Sequence, residues 1–148
     1  MRSFAMAALY ALIGTGAQAQ QAPAESDLQW ARRALHVDGW QYLASGAGAA
    51  AYTKPGASPA AAGHKFLQYR MEYRAPQGGS PSYHSSVSTQ EADCAAHKMR
   101  TTKSVGYAAN NLSGASVPMT FDKAWTQPAS GTLGQLALSR ACGTDHPF

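Results

Sequence analysis

The sequence predicts an α+β fold: an antiparallel β-sheet with a C-terminal helix tied to it by one disulfide, the whole preceded by a signal peptide. Three observations carry this. Between Lys65 and Arg74, Leu67, Tyr69, Met71 and Tyr73 fall on one parity and Gln68, Arg70, Glu72 and Arg74 on the other. That alternation is expected of a half-buried strand with one wet face. The C-terminal region reads as a helix over Gly131–Ala141, with Ser130 as N-cap, Leu133, Leu136, Ala137 and Arg140 along one side, and Gly143 as C-cap. Two cysteines, Cys94 and Cys142, lie in a chain whose first residues have the layout of an export signal.

That layout has three parts. Arg2 and the amino terminus supply positive charge, Phe4–Ile13 is an uncharged apolar run, and Ala17-Gln18-Ala19 suits signal peptidase. As a helix the run spans only about 15 Å, roughly half the hydrocarbon thickness of a bilayer. Cleavage after Ala19 is therefore expected. No later stretch approaches the roughly 18 apolar residues of a membrane span, and no cysteine near the cleavage site offers a lipid anchor. The expected location is the periplasm, or further out after release.

A length of 148 residues suits one folded domain. The expected division is a signal peptide over 1–19, a flexible N-terminus and short helix over 20–38, the α+β domain over 39–143 and a tail over 144–148. The mature chain keeps 11 of the 12 Lys and Arg and all 8 Asp and Glu, a formal charge of +3. Such mild charge argues against a nucleic-acid partner. With no C-x-x-C and no zinc-type spacing of Cys and His, a structural bridge between Cys94 and Cys142 is favoured over a metal pair or a redox couple.

Along the chain, Ser26-Asp27-Leu28-Gln29 reads as a capping box opening a helix over Asp27–Leu35. Trp40–Ala44 suits a first strand and Ala51–Lys54 a small second one, with Gly46–Ala51 and Gly56–Gly63 read as loops. After the strand at Lys65–Arg74, Pro76–Pro81 is a turn. Tyr83–Asp93, Ala96–Ala108 and Ser116–Phe121 are expected strands, with Asn110–Gly114 turning before the last.

Several of these residues occur in a familiar order. Trp40 is followed by Tyr83-His84-Ser85-Ser86, Glu91-Ala92-Asp93-Cys94, Lys98-Met99-Arg100, Tyr107, Trp125-Thr126-Gln127-Pro128-Ala129-Ser130 and Cys142. Over Gly39–Cys142 the chain resembles the surface-adhesin E-like family, small exported domains of Gram-negative bacteria. The resemblance implies an antiparallel sheet with a disulfide-tied C-terminal helix, and a binding role, the best-known member adhering to host extracellular proteins. The Ala- and Gly-rich segment Gly46–Gly63 and the missing lipid-acceptor cysteine depart from that pattern.

The catalytic signals are weak. His36, His64, His84, His97 and His146 are dispersed, and no cofactor or metal is implied. On a continuous strand Asp93 and His97 would stand about 13 Å apart, too far for an acid–base pair, whereas a turn would bring them together. Ser85 and Ser86 beside His84 form no nucleophile elbow, and Gly46-Ala47-Gly48 is no phosphate loop. Trp40 and Trp125 are expected as core anchors or disulfide neighbours. A basic stripe is more informative: Arg70 and Arg74 share one strand face and Lys98 and Arg100 another, a candidate surface for carboxylates, sulfated glycans or an acidic protein patch. The bland alternative is a solvated face neutralised by Glu72, Glu91 and Asp93. The expectation is thus a non-enzymatic exported module binding a protein or acidic glycan through its sheet face. The alternative is a soluble periplasmic structural or inhibitor-like protein with an envelope partner and no adhesion role.

Overall fold

The computed structural model describes residues 24–56 and 63–144. The signal-peptide segment, most of the Gly56–Gly63 loop and the tail after residue 144 lie outside the described residues.

The first element is helix α1, Asp27–Ala34, and it starts where its capping box dictates. Ser26 Oγ accepts from the Gln29 amide at 3.2 Å, and Gln29 Oε1 accepts from the Ser26 amide at 2.9 Å. Asp27 in the first turn and Arg32 and Arg33 in the last complement the helix dipole. Six strands follow: β1 Gln41–Gly46, β2 Ala49–Pro55, β3 His64–Gln77, β4 Tyr83–Asp93, β5 Lys98–Ala109 and β6 Ser113–Pro118. They form one antiparallel sheet in chain order, and helix α2, Leu133–Cys142, ends the fold.

Register sorts the side chains onto two faces. Tyr52, Arg70, Val87 and Val105 lie in one cross-strand row; Ala51, Met71, Ser86 and Gly106 lie in the adjacent row, on the other face. Helix α1 lays Trp30, Ala31 and the following Leu35 on Ala50 and Tyr52, covering part of the first face. Helix α2 lays Ala137 and Leu138 on Leu67, Ala92 and Met99, covering part of the second. The polar parity of β3 is therefore not a wet face throughout. Under α1, Arg70 is 3 % and Glu72 0 % exposed.

The bridge between Cys94 and Cys142 is present, with their Cα atoms 5.6 Å apart. It joins the end of α2 to the β4–β5 turn. Two details of α2 differ from expectation. Gly131 has φ +76°, a left-handed conformation outside the helix, so the cap is Thr132, whose Oγ1 accepts from the Gln135 amide at 3.3 Å. The buried stripe runs through Gln135, Leu138 and Ser139 to the half-buried Cys142, with Ala137 buried beside it, while Leu136 and Arg140 face solvent. That i, i+3, i+4, i+7 spacing contains the bridged cysteine, which sets the rotation of the helix. Gly143 is left-handed and closes the helix, as its position after the last turn predicts.

The alanine tract Ala49–Ala51 is strand rather than loop, and Ala50 and Ala51 are each 1 % exposed. A methyl-sized side chain at Ala50 lets α1 approach β2 closely. Strand β3 continues through Gln77, β5 begins at Lys98 because residues 94–97 form the turn, and β6 begins at Ser113. Beyond β6, Thr126 and Met99 exchange two backbone hydrogen bonds of 2.9 Å, holding the connection to α2 against the edge of β5. No described helix is long and apolar enough to cross a membrane.

Candidate ligand-binding face

All four basic residues singled out in the sequence stand on the face that α1 partly covers, because the β3–β4 and β4–β5 registers align their parities. They are not one continuous stripe. Arg70 pairs across the sheet with Val87 and Arg100 with Glu91, four residues further along β4, so the two rows lie about 13 Å apart.

Each arginine has carboxylate partners. Arg70 Nε donates to Glu72 Oε1 at 2.7 Å, and its Nη1 donates to the His36 carbonyl at 2.9 Å. Arg74 bonds Glu25 Oε2 at 3.0 Å and Asp27 Oδ1 at 3.3 Å, clamping the start of α1. Arg100 donates from Nε to Glu91 Oε2 at 2.8 Å. His64 Nδ1 bonds the other oxygen of Glu91 at 2.8 Å. The His64 hydrogen bond, aided by Arg100, holds the Glu91 carboxyl below its usual range.

Aromatic rings back the same cations. Arg74 lies 5.7 Å from the Trp30 ring centre, Arg70 5.6 Å from Trp40, and Arg100 4.7 Å from Trp125. Trp40 packs against the core cluster beneath α1, and Trp125 stands edge-on to His64 at 5.3 Å.

The ion pairs among the described residues leave Lys54, Lys98 and Lys103 without a carboxylate. Lys54, Gln68, Thr89 and Lys103 form a single row across β2–β5 on this face, with the two lysines about 14 Å apart at strand spacing. Lys54 Nζ rests 4.5 Å above the Trp40 ring. The sequence reading missed Lys54 and Lys103. For Lys54 the signal was its shared parity with Tyr52 on a short strand. For Lys103 plain alternation misleads, since it has the opposite parity to Lys98 and Arg100. A bulge opposite Thr89 and Gln90 restores it to their face.

The candidate acid–base groups have structural partners. Asp93 precedes the turn and His97 is its last residue, and Asp93 Oδ1 accepts from the amides of Ala95 and Ala96 at 3.1 and 2.9 Å. Ser85 Oγ donates to the Ala109 carbonyl at 2.6 Å and accepts from the Leu112 amide at 3.1 Å. Among the described residues no group of three or more His, Cys, Asp or Glu is placed to hold a metal.

Comparison with curated proteins and with solved structures gave no significant match in either. A family model described as surface-adhesin protein E matches residues 40–143, a span containing the entire sheet and α2, and the chain belongs to that family.

Proposed function

We propose that this chain is an exported, non-enzymatic binding module of the adhesin type that takes an anionic partner, a protein or an acidic glycan, on the sheet face beside α1. The observation that carries the reading is the row Lys54–Gln68–Thr89–Lys103, in which two cations with no carboxylate partner among the described residues flank an amide and a hydroxyl. Lys98 and Arg100 extend this surface along β5, and Arg74 borders it at the start of α1. Arg70 acts from beneath, as the residue that holds α1 and the sheet together. Free ammonium groups at strand spacing recognise negative charge at small desolvation cost, whereas the paired arginines give shape more than net charge.

Retention of the mature protein on immobilised heparin and on immobilised poly-glutamate tests this. The double reversal Lys54→Glu with Lys103→Glu should abolish retention. Lys65→Glu, on the opposite face, should leave it intact. Equal retention of both variants removes the face from contention. A second reading, a structural or inhibitor-like periplasmic protein, draws support from the carboxylate pairing of Arg70, Arg74 and Arg100. Protease shaving of intact cells separates the two: cleavage only after outer-membrane permeabilisation would exclude adhesion.

A further inference from the structure

The second face of the sheet holds a cleft of about 460 Å³ between α2, the 122–128 segment and strands β3–β5. Its lining is chiefly apolar, with Tyr69, Met99, Pro128 and Ala137 around the polar pair Gln90 and Thr101. This volume lies within the range of small-molecule sites.

The walls are fixed by the fold. The Thr126–Met99 backbone pair anchors the outer wall at 2.9 Å in both directions. Gly134 lets α2 close against Pro128, because a Cβ there would stand 3.2 Å from the proline ring. The far end of α2 is locked by the bridge to Cys94.

Its polar groups are nearly all committed. Gln90 Nε2 donates to Ser88 Oγ and Thr101 Oγ1, both at 3.0 Å. At the mouth Arg100 is paired with Glu91, and Asp122 Oδ1 accepts from the Ala124 amide at 2.8 Å. Tyr69 is the exception: no hydrogen bond of its hydroxyl occurs among the described residues. Burial pushes that phenol up to about 12, so it keeps its proton and remains a donor.

We propose that this cleft binds a small, uncharged, chiefly apolar ligand whose carbonyl-type oxygen accepts a hydrogen bond from Tyr69. Charge is disfavoured because the chiefly apolar lining would desolvate it, while Arg100 is already paired with Glu91 and Asp122 stands exposed at the mouth. The proposal does not rest on the anionic-partner reading, whose carrying row Lys54–Gln68–Thr89–Lys103 is on the opposite face; the two share only Arg100, at the mouth.

Titration with prodan, a neutral naphthyl ketone whose emission reports both polarity and hydrogen bonding to its carbonyl, tests the site in the mature protein. Saturable binding with blue-shifted emission is expected. Tyr69→Phe should weaken binding roughly fivefold, the worth of one hydrogen bond, and shift the bound emission further to the blue. Thr101→Phe should fill the cleft and abolish binding while the urea midpoint shows a folded protein. Should that variant not fold, Ala124→Trp on the exposed wall serves the same purpose. The Lys54→Glu, Lys103→Glu double variant should bind as the parent does. No saturable binding by the parent, undiminished binding by the filled variant, unchanged affinity and emission in Tyr69→Phe, or loss of binding in the lysine variant would each overturn the proposal.

Discussion

Arg70 and Glu72 stand two residues apart on β3, side by side on one face, and form an ion pair at 2.7 Å that α1 and the β5–β6 turn seal from water. Glu72 Oε2 also accepts from Asn110 Nδ2 at 2.9 Å and from the Asn111 amide at 3.0 Å. Asn111 in turn accepts from the His36 amide at 2.7 Å and donates to the Ala34 carbonyl at 3.2 Å. One buried carboxylate thus joins the central strand, the exit of α1 and a turn whose residues Asn111 and Leu112 adopt φ of 65° and 52°.

Glu72→Leu should therefore destabilise the fold by about 3–5 kcal/mol, because it strands a buried guanidinium. Adding Arg70→Met should recover much of that loss. Urea unfolding of the single and double variants measures both; a single variant as stable as the parent would contradict the network.

The bridge closes a loop of 48 residues. In the chain-entropy account such a closure contributes about 4 kcal/mol. The Cys94→Ser, Cys142→Ser protein should unfold at correspondingly lower urea, and reductant should lower the midpoint of the parent but not of the variant.

The rotation of α2 gives a sharper contrast. Leu138 is 2 % exposed and Leu136 38 %. Leu138→Ala should cost about 2–5 kcal/mol, and Leu136→Ala should stay within about 0.5 kcal/mol of the parent. Comparable losses in the two would mean that the helix is turned otherwise.

Acid should weaken the His64–Glu91–Arg100 cluster. Because the Glu91 carboxyl titrates lower in the folded chain than in the unfolded one, its contribution is present at neutral pH and is lost as pH falls through and below the carboxylate range. Glu91→Gln should lower the urea midpoint near neutral pH and converge with the parent only below the ordinary carboxylate range, once the parent's own carboxylate is protonated. A gap that persists unchanged in acid would assign the loss to packing instead.

Alternation and turn chemistry were enough to place much of this fold in the sequence. Strand β4 runs from Tyr83 to Asp93 as its pattern indicates, α1 begins at its capping box, and the two cysteines meet. What alternation could not supply was cover. Parity puts Arg70 and Glu72 on a polar face, but only the placement of Trp30 and Leu35 over Ala50 and Tyr52 makes that part of the face dry. A tract of alanines also looks like a linker until a helix is found resting on it. In the candidate face, Lys103 depended on a bulge, and no residue type in β5 marks where the extra residue falls.

The strands follow one another across the sheet in the order in which the chain runs, and each pairs with the strand before it. Pairing can therefore proceed from the N-terminal end as the polypeptide emerges, without waiting for distant segments to search for one another. Cys142, in the last element, reaches Cys94 only after all six strands have passed. The bridge can therefore close only once the whole sheet-forming sequence is present, joining the last element back to the β4–β5 turn.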